Sequence, residues 1–311
     1  MKRFVLVSDV HITSKQPKAR LDNYTETQYN KIKFMLEWSA QHNVDAILLA
    51  GDVFDTVFVN HETIKTYIEL FNTYRDPSCL VAAVYGQHDL RYHSLNKIND
   101  TPLSVLLAGI NGIRLTSDPV IVDNVALYGL SWGEKFPTPV DNNHYNILVA
   151  HITVINEEKL FPGQNDFYSA KRLLYNTAFD MIVTGDNHQR FIVNYKNKYL
   201  FNNGSVMRME RRQADFKPSF TYVEIEDKKL VNYELIYFPI QDNVFKEETK
   251  IVNERESEVE KFLSSMLDDP LEKQINFLSI LHKSLSDEKD EELRYWVDKI
   301  IEIYASEHSS S

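Results

Sequence analysis

Short apolar runs recur along the first two thirds of the chain: Phe4–Val7, Ala46–Ala50, Leu80–Tyr85, Ile147–Ala150 and Met181–Thr184. They are rich in aliphatic and β-branched residues and too short for helices, so they predict buried strands. Between the early runs the period changes. Tyr29, Ile32, Phe34, Met35, Leu36 and Trp38 recur at near-helical spacing. Ile64, Tyr67, Ile68 and Phe71 predict a helix over 61–74, with Asn60 as its cap. A short helix is expected near Leu103–Ala108, and the polar stretch Thr13–Thr27 reads as a loop. Apolar strands alternating with helices predict a parallel sheet.

From about residue 113 the strands shorten. Ile113–Leu115, Val120–Val122, Val125–Gly129 and Ile147–Val149 are separated by turn signals such as Asp118-Pro119 and Asp123-Asn124. They predict a second sheet facing the first. Phe191–Asn194, Tyr199–Asn202, Ser219–Ile225 and Leu230–Phe238 are expected to extend it, the last two joined by a hairpin at Asp227-Lys-Lys. Residues 1–240 thus read as one α/β body. Residues 241–311 read as a small helical module: Val259, Phe262, Leu263 and Met266 form a stripe, Asp269-Pro270 breaks it, and Leu271–Leu285 and Glu288–Tyr304 are amphipathic.

Each of the main apolar runs leads into a polar cluster. In order these are Asp9-Val-His11, Gly51-Asp52-Val-Phe-Asp55, Gly86-Gln87-His88-Asp89, His151 and Gly185-Asp186-Asn187-His188. Ligands of parallel sheets bind past the carboxyl ends of the strands. Taken singly, each cluster has a plain structural reading: a turn, a loop, or a satisfied buried histidine. Taken together, five strand ends carrying Asp or His predict a metal site on one rim. Asp9 and His11, two residues apart, would point the same way in extended chain and can share an ion. Carboxylates mixed with imidazoles suit manganese, with magnesium, iron and zinc as alternatives.

Composition narrows the class. The single cysteine, Cys79, excludes an internal disulfide, and its apolar neighbours make it a small residue near the core. No apolar stretch is long enough to span a membrane and the N-terminus runs straight into a strand, so a reducing cytoplasm is expected. The net charge of −11 is the reverse of a protein that grips nucleic acid by itself. A nucleic-acid substrate would need local contacts or a cationic partner.

The motif order over about residues 3–206 resembles the calcineurin-like metallophosphoesterases. Within them the Gly-Asp-Val-Phe-Asp form of the second motif, Gly204-Ser-Val-Met-Arg208 and Lys217-Pro-Ser-Phe220 resemble the SbcD/Mre-type DNA repair nucleases. The resemblance implies a four-layer α/β/β/α sandwich with a small C-terminal helical module. It implies two divalent ions, one held by Asp9, His11, Asp52 and His188, the other by Asp52, Gln87, His151 and Asp186. His88 is implied to sit by the phosphate, Asp89 to orient His88, and Asp55 to support the site. The family usually has Asn at position 87 and His at position 186, so both departures fall on the second ion.

The implied activity is manganese-dependent 3′ to 5′ DNA exonuclease with single-strand endonuclease action. Residues 254–304 would bind an SbcC/Rad-type SMC ATPase or pack on the body, and the family's homodimer carries over as an expectation. Tyr24, Tyr92, His93 and Phe136 are candidates to stack on bases. Lys15, Lys18, Arg20, Arg208, Arg211 and Arg212 are candidates to meet phosphates. Packing residues and a solvated basic loop are the competing readings. A phosphoesterase for small molecules or phosphoproteins would share every ligand, and a non-catalytic scaffold for the ATPase is the third alternative.

Overall fold

The computed structural model describes residues 1–139, 143–156 and 165–246. The chain begins with β1 (Lys2–Val7), α1 (Tyr24–Gln41), β2 (Ala46–Ala50), α2 (His61–Tyr74), β3 (Leu80–Val84), α3 (Pro102–Gly109) and β4 (Ile113–Arg114). Strands β1 to β4 lie side by side in parallel. Their side chains alternate between two cores. Val5, Val7, Ile47, Leu49, Val81 and Ala83 pack in the core shared with α1, α2 and α3. Phe4, Leu6, Leu48, Ala50, Ala82 and Val84 belong to the core between the sheets. Burial on both faces is why these strands read as unbroken apolar runs.

Next come β5 (Val120–Val122), β6 (Val125–Leu130), β7 (Tyr145–His151), β8 (Val154–Ile155), β9 (Tyr168–Ser169), α4 (Ala170–Asn176), β10 (Met181–Gly185), β11 (Phe191–Tyr195) and β12 (Lys198–Asn202). The last strands are β13 (Ser219–Glu226) and β14 (Lys229–Tyr237). The second sheet has the order β11-β12-β10-β7-β6-β5, and β8 pairs with β9 apart from it. Ile147, Val149, Met181 and Val183 face the first sheet. Leu148, Ile182 and Leu200 pack with Leu173 and Leu174 of α4. The layers are therefore α/β/β/α.

Three expectations are corrected. β4 pairs with β3, in the first sheet. β13 and β14 also join the first sheet, with β13 antiparallel to β1. This pairing covers the backbone edge that β1 would otherwise expose, and it buries Val223 and Ile225 between the sheets. The third correction concerns Thr13–Thr27. Helix α1 starts at Tyr24, where the Asn23 side chain accepts from the Glu26 amide at 3.3 Å. Tyr24 itself is fully buried, so it is a core residue and not a base platform. Asn60 does cap α2, accepting from the Thr63 amide at 2.7 Å.

Residues 1–246 make one compact unit. The Arg20–Phe245 bridge and the Lys246 amide, 2.9 Å from the Ala19 carbonyl, tie its end to the loop before α1. The helical reading of 254–304 lies outside the described residues. Among the described residues no helix is long and apolar enough to cross a membrane.

Candidate metal centre

The carboxyl ends of β1, β2 and β3 in one sheet and of β7 and β10 in the other open onto one rim. The segments leaving β1 and β2 turn sharply. Asp9, His11 and Asp52 have φ of 49°, 50° and 47°, and Asp186 has 79°. Asp9 and His11 are thus not in extended chain, as their spacing suggested; each sits in the left-handed region. For a non-glycine residue that region costs roughly 1–2 kcal/mol, so something must hold it. Gln28 of α1 supplies part of the answer. Its buried amide donates to the carbonyls of Val10 (3.2 Å) and His11 (2.8 Å) and accepts from the Thr13 amide (3.1 Å). The His11 amide also donates to the Asp52 carbonyl at 2.9 Å.

Two glycines let the rims approach. At Gly51, with φ 84°, an added Cβ would lie 2.3 Å from His151 Nδ1. At Gly86 it would lie 2.0 Å from Asp52 Oδ1. Neither space admits a side chain.

The rim gathers all seven predicted ligand residues, each within 4.0 Å of another. His11 Nε2 and His188 Nε2 are 3.1 Å apart. His188 Nε2 is 3.9 Å from Asp9 Oδ1, and His11 Nε2 is 4.0 Å from Asp52 Oδ2. Asp52 Oδ2 lies 3.4 Å from His151 Nε2, which is 4.0 Å from Asp186 Oδ1. Asp186 Oδ1 accepts from Gln87 Nε2 at 2.9 Å. Donor atoms of Asp9, His11 and His188 lie within 4.8 Å of one another, as do those of Asp9, Asp52 and His151.

Packing this many charges out of water perturbs them. Burial pushes the Asp9 carboxyl up to about 7, against the pull of His151 and His11. Burial opposes ionisation of Asp52 too, but His151, His11 and His88 prevail and hold it at about 2. Burial, then the His11 charge, lowers His188 to about 4. His151 goes the other way. Burial disfavours its cation, yet Asp52, Asp9 and Asp186 raise it to about 10.

The orphaned atoms show whether this set fits divalent ions. Asp9 Oδ2, Gln87 Oε1 and His151 Nε2 are buried with no hydrogen-bond partner. His151 Nδ1 is 2.7 Å from the Ala50 carbonyl, so Nδ1 carries a hydrogen and Nε2 is the nitrogen left to face an ion once its own proton is released. Buried acceptors without donors are costly, and oxygens mixed with imidazole nitrogens are a donor set for manganese-like ions. The residues fit.

Around the ligands the roles shift. Asp89 does not touch His88: its fully buried carboxylate accepts from the amides of Val53 (3.2 Å), Phe54 (2.9 Å) and Gly86 (3.0 Å), tying the second motif to the third. His88 is instead oriented by Asp55, whose backbone carbonyl is 2.9 Å from His88 Nδ1. The Asp55 carboxylate lies 3.5 Å from His11 Nδ1.

Arg208 is corrected as well. It donates to the carbonyls of Ala214 (2.6 Å) and Gln241 (2.7 Å), and is 8% exposed. Arg20 is likewise buried, paired with Asp22 at 2.7 Å. Phe136 packs near Phe179 and Tyr168. Tyr92 is 82% exposed, and both it and His93 have positive φ. Gln28 and Thr153, whose hydroxyl donates to Asp186 Oδ2, are not singled out by the sequence. A lone Gln in a helix and a lone Thr in a loop carry no signal.

The model of the calcineurin-like phosphoesterase family matches residues 2–190. The chain belongs to that family. Among curated relatives it is 26% identical to the DNA double-strand break repair protein Mre11 of Aeropyrum pernix, over 37% of this chain and 26% of that protein. It is 22% identical to a subunit of the nuclease SbcCD of Staphylococcus epidermidis, over 64% of this chain and 62% of that protein. The chain thus spans between about a quarter and somewhat under two thirds of the length of these relatives. A dimetal phosphatase from Danio rerio is similar at a TM-score of 0.48 and 10% identity, over 76% of this chain and 99% of that one. Metallophosphoesterases are metal-dependent hydrolases, and the centre described above supplies the ligand clusters such a hydrolase requires.

Proposed function

We propose that this chain is a two-metal phosphodiesterase that cleaves DNA, a manganese-dependent 3′ to 5′ exonuclease with endonuclease action on single strands. The hydrolytic part rests on one observation: Asp9 Oδ2, Gln87 Oε1 and His151 Nε2 gathered on a single rim, all buried without a hydrogen-bond partner, with His151 Nε2 3.4 Å from Asp52 Oδ2. The DNA part rests on the two curated relatives, named as a break-repair protein and as part of a nuclease.

Asp9, His11, Asp52 and His188 would hold one ion, and Asp52, Gln87, His151 and Asp186 line the place of the other. Bound divalent ions supply Lewis-acid chemistry, neutralising phosphate charge and acidifying the attacking water. Asp52 stands between the two ligand groups. His88 is the reacting histidine. Its Nδ1 is anchored on the Asp55 carbonyl, its side chain is 45% exposed, and its Nε2 lies 3.9 Å from Asp52 Oδ2, where it would reach a phosphate held on the rim. In its protonated form it gives the proton from Nε2 to the departing oxygen. Asp89 fixes the backbone that carries His88 and takes no part in proton transfer. Tyr92 and His93 stand exposed four and five residues beyond His88, as a platform for bases.

A net charge of −11 leaves the DNA track to a partner. An SMC-type ATPase bound through residues 254–304 would provide it, in keeping with the relative that is named as one component of SbcCD.

The test is cleavage of end-labelled duplex and single-stranded DNA with manganese, magnesium or zinc, alongside His88→Ala. Manganese-dependent nucleotide release, lost in the variant, supports the proposal. Turnover of a bis-aryl phosphodiester without DNA cleavage would move the protein to small substrates.

A further inference from the structure

We infer that Gln87 and Asp186, the two positions at which this chain departs from the family pattern, work as one unit in which Asp186 turns the Gln87 carbonyl oxygen toward the second ion. The inference rests on the two-metal reading above. It makes Asp186 a positioning residue and leaves Gln87 as the ligand.

The hydrogen bonds argue for it. Asp186 Oδ1 accepts from Gln87 Nε2 at 2.9 Å, and Oδ2 accepts from the Thr153 hydroxyl. The Asp186 amide donates to Asp9 Oδ1 at 2.9 Å, which pins the residue in its left-handed turn. Both carboxylate oxygens are therefore engaged by protein donors. Gln87 shows the complement: its nitrogen is engaged, and its oxygen is buried without a partner.

An ionised carboxylate only accepts, so the glutamine must offer it the NH2 end. The amide then has one orientation, with Oε1 directed away from Asp186. His151 Nε2, 4.0 Å from the same Asp186 Oδ1, is likewise buried without a hydrogen-bond partner. A carbonyl oxygen, an imidazole nitrogen and the Asp52 carboxylate make a coherent set for a divalent ion.

The two departures also require each other. Asparagine is one methylene shorter, about 1.5 Å, and from position 87 its amide would fall out of hydrogen-bond range of Asp186. A histidine at 186 would not force the glutamine amide either way, because an imidazole can present a donor or an acceptor. Thr153 completes the unit by holding the second carboxylate oxygen.

The measurement is manganese binding to metal-stripped protein, followed by the EPR signal of free Mn(II). The variants are Gln87→Asn, Asp186→His, the double Gln87→Asn/Asp186→His, and Thr153→Val. Thermal unfolding checks that each is folded. Wild type should take up two ions. Each single variant should weaken the second ion by about 10–100-fold, while the double variant, which restores the family's pair, should recover most of that loss. Losses that simply add in the double variant overturn the pairing, with the two-metal reading intact. So does wild-type affinity in folded Gln87→Asn and Thr153→Val. Wild type that binds no manganese overturns the two-metal reading and the pairing together. If Asp186→His does not fold, Gln87→Asn and Thr153→Val still decide.

Discussion

The Nε2 atoms of His11 and His188 face each other at 3.1 Å across the two sheets. Two neutral lone pairs cannot sit so close without a proton or a cation between them. In metal-free protein an Nε2 hydrogen on one imidazole can donate to the lone pair of the other, which leaves a single hydrogen bond between them. A divalent ion satisfies both nitrogens. Adding manganese to stripped protein should therefore stabilise it, by about 2.7 kcal/mol at one hundred times the dissociation constant. Differential scanning calorimetry with and without chelator reads this directly, and a midpoint indifferent to manganese would sink the metal assignment.

His88 contacts the protein frame through Nδ1, and its Nε2 lies 3.9 Å from Asp52 Oδ2 at the edge of the metal rim. His88→Ala should lower kcat by about 10²–10⁴-fold, the range for a lost general acid. Manganese stoichiometry should be unchanged. Loss of an ion in the variant would mean that His88 is a ligand instead.

Asp89 accepts from three backbone amides at full burial. Asp89→Ala orphans all three, at about 1–3 kcal/mol for each unsatisfied donor. Urea unfolding should show a loss of at least about 3 kcal/mol by the same reckoning. A loss below about 1 kcal/mol would mean that water or a local shift replaces the carboxylate.

His151 carries a pH signature. Burial works against its cation, but Asp52, Asp9 and Asp186 raise it from 6.5 to about 10 in metal-free protein. A raised basic pKa adds stability that is full below the unfolded value of 6.5 and is lost as pH climbs through about 10. A ligand nitrogen must be unprotonated, so metal uptake expels this proton. Manganese affinity should rise with pH between about 7 and 9, and calorimetry in buffers of different ionisation enthalpy should detect proton release. A flat affinity over that range would contradict the assignment.

The strands and the metal rim were legible in the sequence because each rests on a local pattern. Ala46–Ala50 is apolar on both faces, and its polar follower Asp52 comes just after Gly51. What was not legible depends on distant pairing. Nothing in Ser219–Glu226 says that it joins β1 and not the second sheet; the open edge of β1 decides that. Arg208 looks like a phosphate contact until Ala214 and Gln241 claim its guanidinium. Asp89 next to His88 invites a side-chain bond, whereas its true partners are amides, which no residue type advertises.

The core between the sheets has a consequence for the chemistry. Among the described residues the facing sheets share no backbone ladder, and Phe4, Leu48, Val149 and Val183 fill the space between them. One sheet carries Asp9, His11, Asp52 and Gln87; the other carries His151, Asp186 and His188. These hydrocarbon side chains therefore act as the gauge block of the active centre. Trimming one by a methylene should alter the spacing between the two ligand groups, and with it catalysis, in a protein whose every ligand is intact.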